Sequence, residues 1–378
     1  MTIYVNGRFL TQPLSGVQRY AHEILGALDQ KLCQSPHLTE RLGPIEVLVP
    51  EQVEAPDWQM LRLRHVPGGG GHLWEQGALW RASRDGVLIS LGNSGPLMHR
   101  AHVLCLHDAN LWEIPEAYAL RYRLWHRFLR PRLARRAAAL LTVSRHSAKA
   151  LARRLKVAED RFRILPNSAD HMLRLPPAPD VPARYGLTRG GYLLSVGNHS
   201  PNKNLRALIA AHAACGAEVP PLALVGGDVP GLVAEAAGRN GRVTALGRVP
   251  DRDLRGLYEG AAGFVFAALH EGFGIPPLEA MRLNVPVVCA RSGAMPEVLG
   301  DAPLWFDPRD VDDLARVLRY FAEMSGEQVT SMIGRGYAVA EKHCWRESAA
   351  ELAAMLVTAL ETLALRQSAL PVSSELRA

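Results

Sequence analysis

The sequence predicts an α/β protein made of two doubly wound, parallel-sheet domains. Three observations carry this. Short β-branched or apolar runs alternate with helix-length stretches, the pattern of parallel strands covered on both faces. The runs fall into two series, which fits two doubly wound sheets better than one very wide sheet. The densest proline segment, Leu173–Gly186 (LRLPPAPDVPARYG), separates the two series. A length of 378 residues suits two domains.

The first series of strands reads TIYV, IEVLVP, GVLISLG, HVLCLHD, ALLTVS and FRILPN. The second reads YLLSVGN, LALVGG, RVTALG, GFVFAAL, VPVVCA and PLWFD. Helical stretches lie between them, for example Gly16–Leu28 and Asn204–Cys215. Arg121–Arg136 (RYRLWHRFLRPRLARR) reads as a helix broken near Pro131, where the ring removes a donor. Pro276 and Pro277 suit the first turn of a helix that runs to about Leu283. A long amphipathic pattern closes the chain up to Leu365. The expected organisation is a first domain over 1–175, a second over 176–345, a helix over about 346–365, and a frayed tail over 366–378.

Composition is that of an ordinary soluble protein, 48% hydrophobic and 21% charged. No apolar run reaches membrane-helix length, and MTIYVNGRFL lacks the basic and apolar regions of a signal peptide. The five cysteines form no C-x-x-C pair, so a reduced, cytoplasmic protein without structural zinc is expected. Net charge is +6 but uneven: 23 Lys+Arg against 15 Asp+Glu through residue 170, then 20 against 22. The basic first half has no nucleic-acid motif, which argues against that partner. Tyr122, Trp125, Phe128 and Leu129 interleave with arginines in Arg121–Arg136. That stretch is either a solvated helix or a surface that rests on anionic lipid.

Ligands of open α/β sheets bind beyond the carboxyl ends of strands, so residues just past each strand are the candidates. After the first strand, Gly16 opens a helix, as a plain turn glycine or as part of an anion site. No G-x-G-x-x-G accompanies it. His107, followed by Asp108, is a buried polar anchor or a catalytic imidazole. Lys203 stands between a strand and a helix, either free in solvent or cradling phosphate. In HEGFGIPPLEAM the amides of Phe273, Gly274 and Ile275 head a helix, an anion site, and two glycines allow backbone close to a ligand. Glu279, placed in the first helical turn, is favoured there by the helix dipole alone. Glu271, before the turn, has no such explanation and suits hydroxyl donors. A polyol joined to a diphosphate, that is a nucleotide sugar lying between two domains, meets all these groups at once.

The segment Glu271–Pro308 (EGFGIPPLEAMRLNVPVVCARSGAMPEVLGDAPLWFDP) resembles the E-x7-E region of retaining glycosyltransferases of family 4, the glycosyl transferases group 1. SGVQRYAHEIL, LHDANLWEIPEAY, LTVSRHSAKAL, LPNSAD, VGNHSPNKNL and LGRVPDRDLRGLY resemble its other landmarks, in the same order, over nearly the whole chain. The resemblance implies the GT-B fold, two Rossmann-like domains facing across a cleft, with a nucleotide-sugar donor. It also implies that Glu271 meets the donor sugar hydroxyls and Glu279 the ribose. The amides of Phe273 and Gly274, with Gly16 and Lys203, would hold the diphosphate, His107 would lie beside the reacting sugar, and Val249 near the base. The final helix would cross back to the first domain. Where the family often has an arginine, this chain has Asn198; the diphosphate site would then lack a second cation, or Arg206 or Arg248 would supply it.

The implied reaction passes a sugar to an acceptor hydroxyl with retention, Lys203 and the helix N-terminus stabilising the departing diphosphate in place of a metal. Asp251-x-Asp253 has the spacing of a metal site, but it precedes a helical pattern, so Asp251 reads as an N-cap and no metal is expected. GDP-mannose is the expected donor, because family members with EGFGIPPLEAM-like segments are often mannosyltransferases and Asp251 can accept from a guanine edge. UDP-glucose and dTDP-rhamnose are the alternatives. The expected acceptor is a saccharide or a lipid-linked glycan of bacterial polysaccharide synthesis. A nucleotide-sugar epimerase or hydrolase and a non-catalytic binding protein are the competing functions.

Overall fold

The structure, a computed structural model, describes residues 2–198, 200–227 and 242–368. Seven parallel strands form the first sheet: β1 (Ile3–Asn6), β2 (Ile45–Val49), β3 (Arg62–His65), β4 (Val87–Ser90), β5 (His102–Cys105), β6 (Ala139–Thr142) and β7 (Phe162–Ile164). Six form the second: β8 (Leu193–Val196), β9 (Leu222–Val225), β10 (Val243–Gly247), β11 (Gly263–Phe266), β12 (Val287–Ala290) and β13 (Leu304–Phe306). Their spatial orders are β3-β2-β1-β4-β5-β6-β7 and β10-β9-β8-β11-β12-β13. Both follow the 3-2-1-4-5-6 order of a doubly wound sheet, the first extended by β7, and reverse direction at β1/β4 and at β8/β11. β1, β4, β5, β9, β11 and β12 are buried along their whole length, as strands with helices on both faces must be.

All twelve expected strands are present. β3 was not foreseen: RLRH is an edge strand whose charged side chains face solvent, so it carries no apolar run.

The helices that matter below are α1 (Gly16–Gln34), α2 (Leu120–Arg136), α3 (Arg145–Leu155), α4 (Leu205–Cys215), α5 (Asp251–Gly260), α6 (Ile275–Arg282), α7 (Val311–Glu323), α8 (Gly326–Glu341) and α9 (Trp345–Ser368). α1 buries Tyr20, Ile24, Leu25, Leu28 and Leu32, positions three or four apart that make one apolar face. α9 lies against α1, with Trp345 edge-on to Tyr20 at 5.8 Å. It reaches Ser368, three residues into the stretch read from the sequence as a tail; the remainder of that stretch lies outside the described residues. α2 is continuous, not broken at Pro131. The proline costs one backbone bond of many, Leu129, Leu133 and Ala134 still pack inward, and Arg132 donates to the Phe128 carbonyl at 2.9 Å.

Candidate active site

The second-sheet switch point carries the central pair. Lys203 follows β8 at the end of a short turn, Pro201–Lys203, and Glu271 follows β11. The Lys203 ammonium donates to Glu271 Oε1 at 2.6 Å, and Asn202 Nδ2 adds a weaker contact at 3.4 Å. Lys203 reaches this position by lying along Gly197, where a Cβ would press on its stem at 3.3 Å, and over the ring of Phe266. Both side chains keep partial exposure, 17% and 15%, so the pair faces an opening.

α6 begins at Ile275, four residues after Glu271. Gly274 caps it in the left-handed region, φ +89°, which only glycine adopts without strain, and its missing Cβ leaves room for Met295. The amides of Phe273, Gly274 and Ile275 stand at the helix head, where no intrahelical carbonyl reaches them. Gly272 has a different reason. A Cβ there would meet the His107 carbonyl at 2.8 Å and Asp108 at 2.9 Å, so this glycine lets the two domains touch rather than admitting a ligand. Ser144 and Ser147, at the head of α3, both donate to the Gly272 carbonyl.

Glu279 lies in the second turn of α6, not the first, so the dipole does not account for it. It is 4% exposed. Its Oε1 meets His171 Nε2 and its Oε2 accepts from the Tyr258 hydroxyl, both at 2.9 Å. Burial pushes this carboxyl up, but the bonds from His171 and Tyr258 and the charge of Arg19 hold it below the usual glutamate range.

From the first domain, Gly16 heads α1 and faces Ile275 of α6, whose Cδ1 would lie 3.8 Å from a Cβ placed on the glycine. One turn on, Arg19 Nη2 donates to both carboxylate oxygens of Asp251, at 2.8 and 2.9 Å. Asp251 is therefore not the N-cap of α5: it is the first helical residue, Pro250 holds the cap position, and the carboxylate reaches across the cleft. Asp253 points elsewhere, to Arg184 and Tyr185 at 2.9 Å each. Val249 is half-buried in the turn between β10 and α5. Arg206 and Arg248, the expected second cations, are exposed. Arg19 is a cation at this domain junction that the sequence did not single out. Its signal was faint, an arginine three residues after Gly16, and its meaning depends on the partner domain.

His107 is 6% exposed at the end of β5. Its ring is held by the Leu91 carbonyl at 2.8 Å, not by Asp108, which instead accepts the Asn110 amide. With Nε2 donating to Leu91, Nδ1 is the ring's remaining basic nitrogen. Burial pushes its pKa down, so the imidazole is neutral. Tyr20 packs edge-on against it at 4.8 Å.

The domains are joined around this site by His146–His270 at 3.3 Å, Asn110–His270 at 2.7 Å, and Glu297 accepting the amides of Arg145 and His146 at 2.8 Å. A recess of about 580 Å³ lies on the far flank of His270, between Arg291 and Trp305, and includes neither Lys203 nor Glu271. Cations, helix-head amides and a hydroxyl-accepting carboxylate thus converge where two domains meet, an arrangement able to hold a diphosphate beside a polyol.

Comparison with known proteins agrees with this geometry. Residues 184–339 match the family model described as glycosyl transferases group 1. O-antigen chain mannosyltransferase B of Escherichia coli is 36% identical over 265 residues, 66% of this chain and 68% of that protein. O-antigen chain mannosyltransferase RfbU of Salmonella typhimurium is 25% identical over 86% of this chain and 96% of that protein. Among solved structures, sucrose-phosphate synthase of Thermosynechococcus elongatus superimposes with a TM-score of 0.71 at 16% identity, covering 98% of this chain and 99% of that one. The two-sheet architecture is the GT-B fold.

Proposed function

The chain belongs to the glycosyl transferases of group 1, and on that premise we propose that it moves mannose from GDP-mannose to a saccharide or lipid-linked acceptor, with retention of configuration. The observation that carries the reading is the Lys203–Glu271 ion pair at the second-sheet switch point, beneath the head of α6. Unliganded, each group satisfies the other. A bound donor separates them: the diphosphate takes Lys203 and the amides of Phe273, Gly274 and Ile275, and sugar hydroxyls donate to Glu271. Gly16 leaves space on the opposite wall. Glu279 and Val249 would meet ribose and base, the ribose bonding to lone pairs that His171 and Tyr258 leave unused.

Departure of the nucleoside diphosphate concentrates charge on its terminal phosphate. Lys203 and the α6 head meet that charge, and Arg19 adds a second cation if the incoming base takes Asp251 from it. Neutral His107 presents Nδ1 toward the reacting sugar without adding charge. The choice of mannose is supported by the names of the two O-antigen relatives. Among the described residues no helix is long and apolar enough to cross a membrane. Leu120, Leu124 and Phe128, successive turns of α2, are exposed beside Arg121, Arg132, Arg135 and Arg136, a surface suited to resting on anionic lipid.

A thermal-shift screen across GDP-, UDP- and dTDP-sugars tests the reading, since a ligand that binds only the folded state stabilises it by mass action. GDP-mannose should raise the midpoint most. A larger rise with UDP-glucose or dTDP-rhamnose would reassign the donor, and no rise with any nucleotide sugar would overturn the function.

A further inference from the structure

The recess beside His270 takes no part in the transfer site described above. It lies beyond the carboxyl ends of β11, β12 and β13, the side of an open α/β sheet where ligands bind. Its volume of about 580 Å³ is that of a small-molecule site and leaves room for more than one sugar ring. Trp305 is half-buried in the wall, and the Arg291 guanidinium lies over its ring, 5.0 Å from the centroid. The indole N–H is taken by the Gly300 carbonyl, so this side chain offers the recess an apolar surface. Arg291 and Arg309 are exposed, and among the described residues neither pairs with a carboxylate. Asp307 accepts the Arg309 amide with Oδ1 at 2.9 Å, and Asp313 accepts the Asp307 amide at 2.8 Å. Two arginines and two aspartates thus line the recess, a balance that favours a neutral ligand over an ion. Flat aromatic and guanidinium surfaces beside carboxylates suit a neutral sugar, whose C–H faces pack on rings and whose hydroxyls both donate and accept.

Two contacts tie the recess to the transfer site. Gly293, on its wall, is left-handed at φ +53°, and a Cβ there would strike the Glu271 backbone at 2.4 Å. The next amide, of Ala294, donates to the Glu271 carbonyl at 2.9 Å. One loop therefore separates the recess from the carboxylate proposed to meet the donor sugar. Asn204, which follows Lys203, donates to the carbonyl of Pro308 in the recess at 2.7 Å. His270 lines the recess as well, and its ring meets Asn110 and His146 of the first domain, so the recess starts at the domain junction. The groups proposed for the donor do not line it. A glycan whose reacting end lies at the junction would lay its further units along Trp305.

We propose that the recess between Arg291 and Trp305 is a second saccharide subsite, which holds neutral sugar units of the acceptor or elongated product, behind the unit that reacts. This rests on the transferase reading for the identity of the glycan as acceptor, and on the recess alone for the binding of sugar.

The test is calorimetric titration of the full chain, with GDP saturating the donor site, using α-linked mannobiose, α-linked mannotetraose and maltotetraose. One or both tetrasaccharides should bind the wild type at least about tenfold more tightly than mannobiose. Trp305→Leu and Arg291→Gln should each abolish most of that advantage, and Trp305→Phe, which keeps an aromatic face, should recover part of it. GDP affinity should stay within about twofold in every variant, which reports their folding. No tetrasaccharide binding, equal affinity for the disaccharide and both tetrasaccharides, or tetrasaccharide binding unchanged in Trp305→Leu and Arg291→Gln overturns the proposal. Inorganic pyrophosphate bound in place of sugar and lost in Arg291→Gln also overturns it, making the recess an anion site. If Trp305→Leu does not fold, Arg291→Gln, at an exposed position, and the chain-length dependence of the wild type decide. Failure of GDP-mannose to bind would sink the donor assignment instead, leaving glycan binding that depends on Trp305 as a separate result.

Discussion

At the scale of single residues, the site is a set of groups that neutralise one another until a donor arrives. Lys203 and Glu271 are the clearest case. Replacing Glu271 by alanine removes an acceptor of sugar hydroxyls and frees the lysine. Transfer should fall about 30- to 1000-fold, the equivalent of losing about 2–4 kcal/mol of charge-assisted bonding. GDP affinity should hold or rise, because Lys203 no longer has a competing carboxylate. Steady-state transfer and GDP titration on the same preparation check both halves; near-normal turnover would remove Glu271 from the mechanism. Glu271 stood out in the sequence as an acid before a glycine turn with no bland explanation, whereas Lys203 had one, and only the fold brings the two together. Arg19 and Gly272 were not legible there. The meaning of Arg19 is a bond to Asp251, 232 positions away, and the need for glycine at 272 is a contact with His107 and Asp108 of the other domain. Neither contact exists in any local pattern.

At the scale of elements, the strands were readable because burial on both faces demands continuous apolar runs, and β3 was missed because an edge strand has no such demand. α2 resisted reading in another way. Its arginines, aromatics and leucines alternate without one apolar face, because the helix has two tasks: arginines face inward as well as outward, and leucines face outward as well as inward. The outward stripe makes a prediction. The protein should cosediment with anionic vesicles at low salt and be released as salt is raised. Leu124→Ser with Phe128→Ser should lower the partition at least about tenfold, given about 1.5–3 kcal/mol for each large apolar side chain withdrawn from lipid. Absence of vesicle binding at low salt would make the stripe an ordinary solvated surface.

At the scale of the whole molecule, two sheets place their switch points toward one cleft, and both halves bury histidines. Burial lowers the pKa of His102 and His126 to about 3, the latter helped by Arg130, and also lowers those of His99, His107, His212 and His343. These rings are neutral when folded and take up protons near pH 6.5 when unfolded, so the unfolded chain binds more protons in mild acid. Stability should be full above about pH 6.5 and fall as pH drops toward 5, before carboxylates contribute, at up to about 1.4 kcal/mol per pH unit for each such ring. Chemical denaturation at pH 7.5, 6 and 5 measures this, and His102→Gln should flatten the slope; equal stability at all three values would refute it. In the proposed mechanism this cleft aims Lys203 at a departing diphosphate. Because the charge it meets is greatest in the transition state, Lys203→Ala should lower the maximal rate of transfer from GDP-mannose more than it weakens donor binding. Lys203→Arg should recover only part, a planar fork replacing a compact ammonium. The decisive measurement is maximal rate and donor affinity for Lys203→Ala, determined together: a large loss of rate with a small loss of affinity is the predicted result, and weakened binding with an intact maximal rate would contradict it.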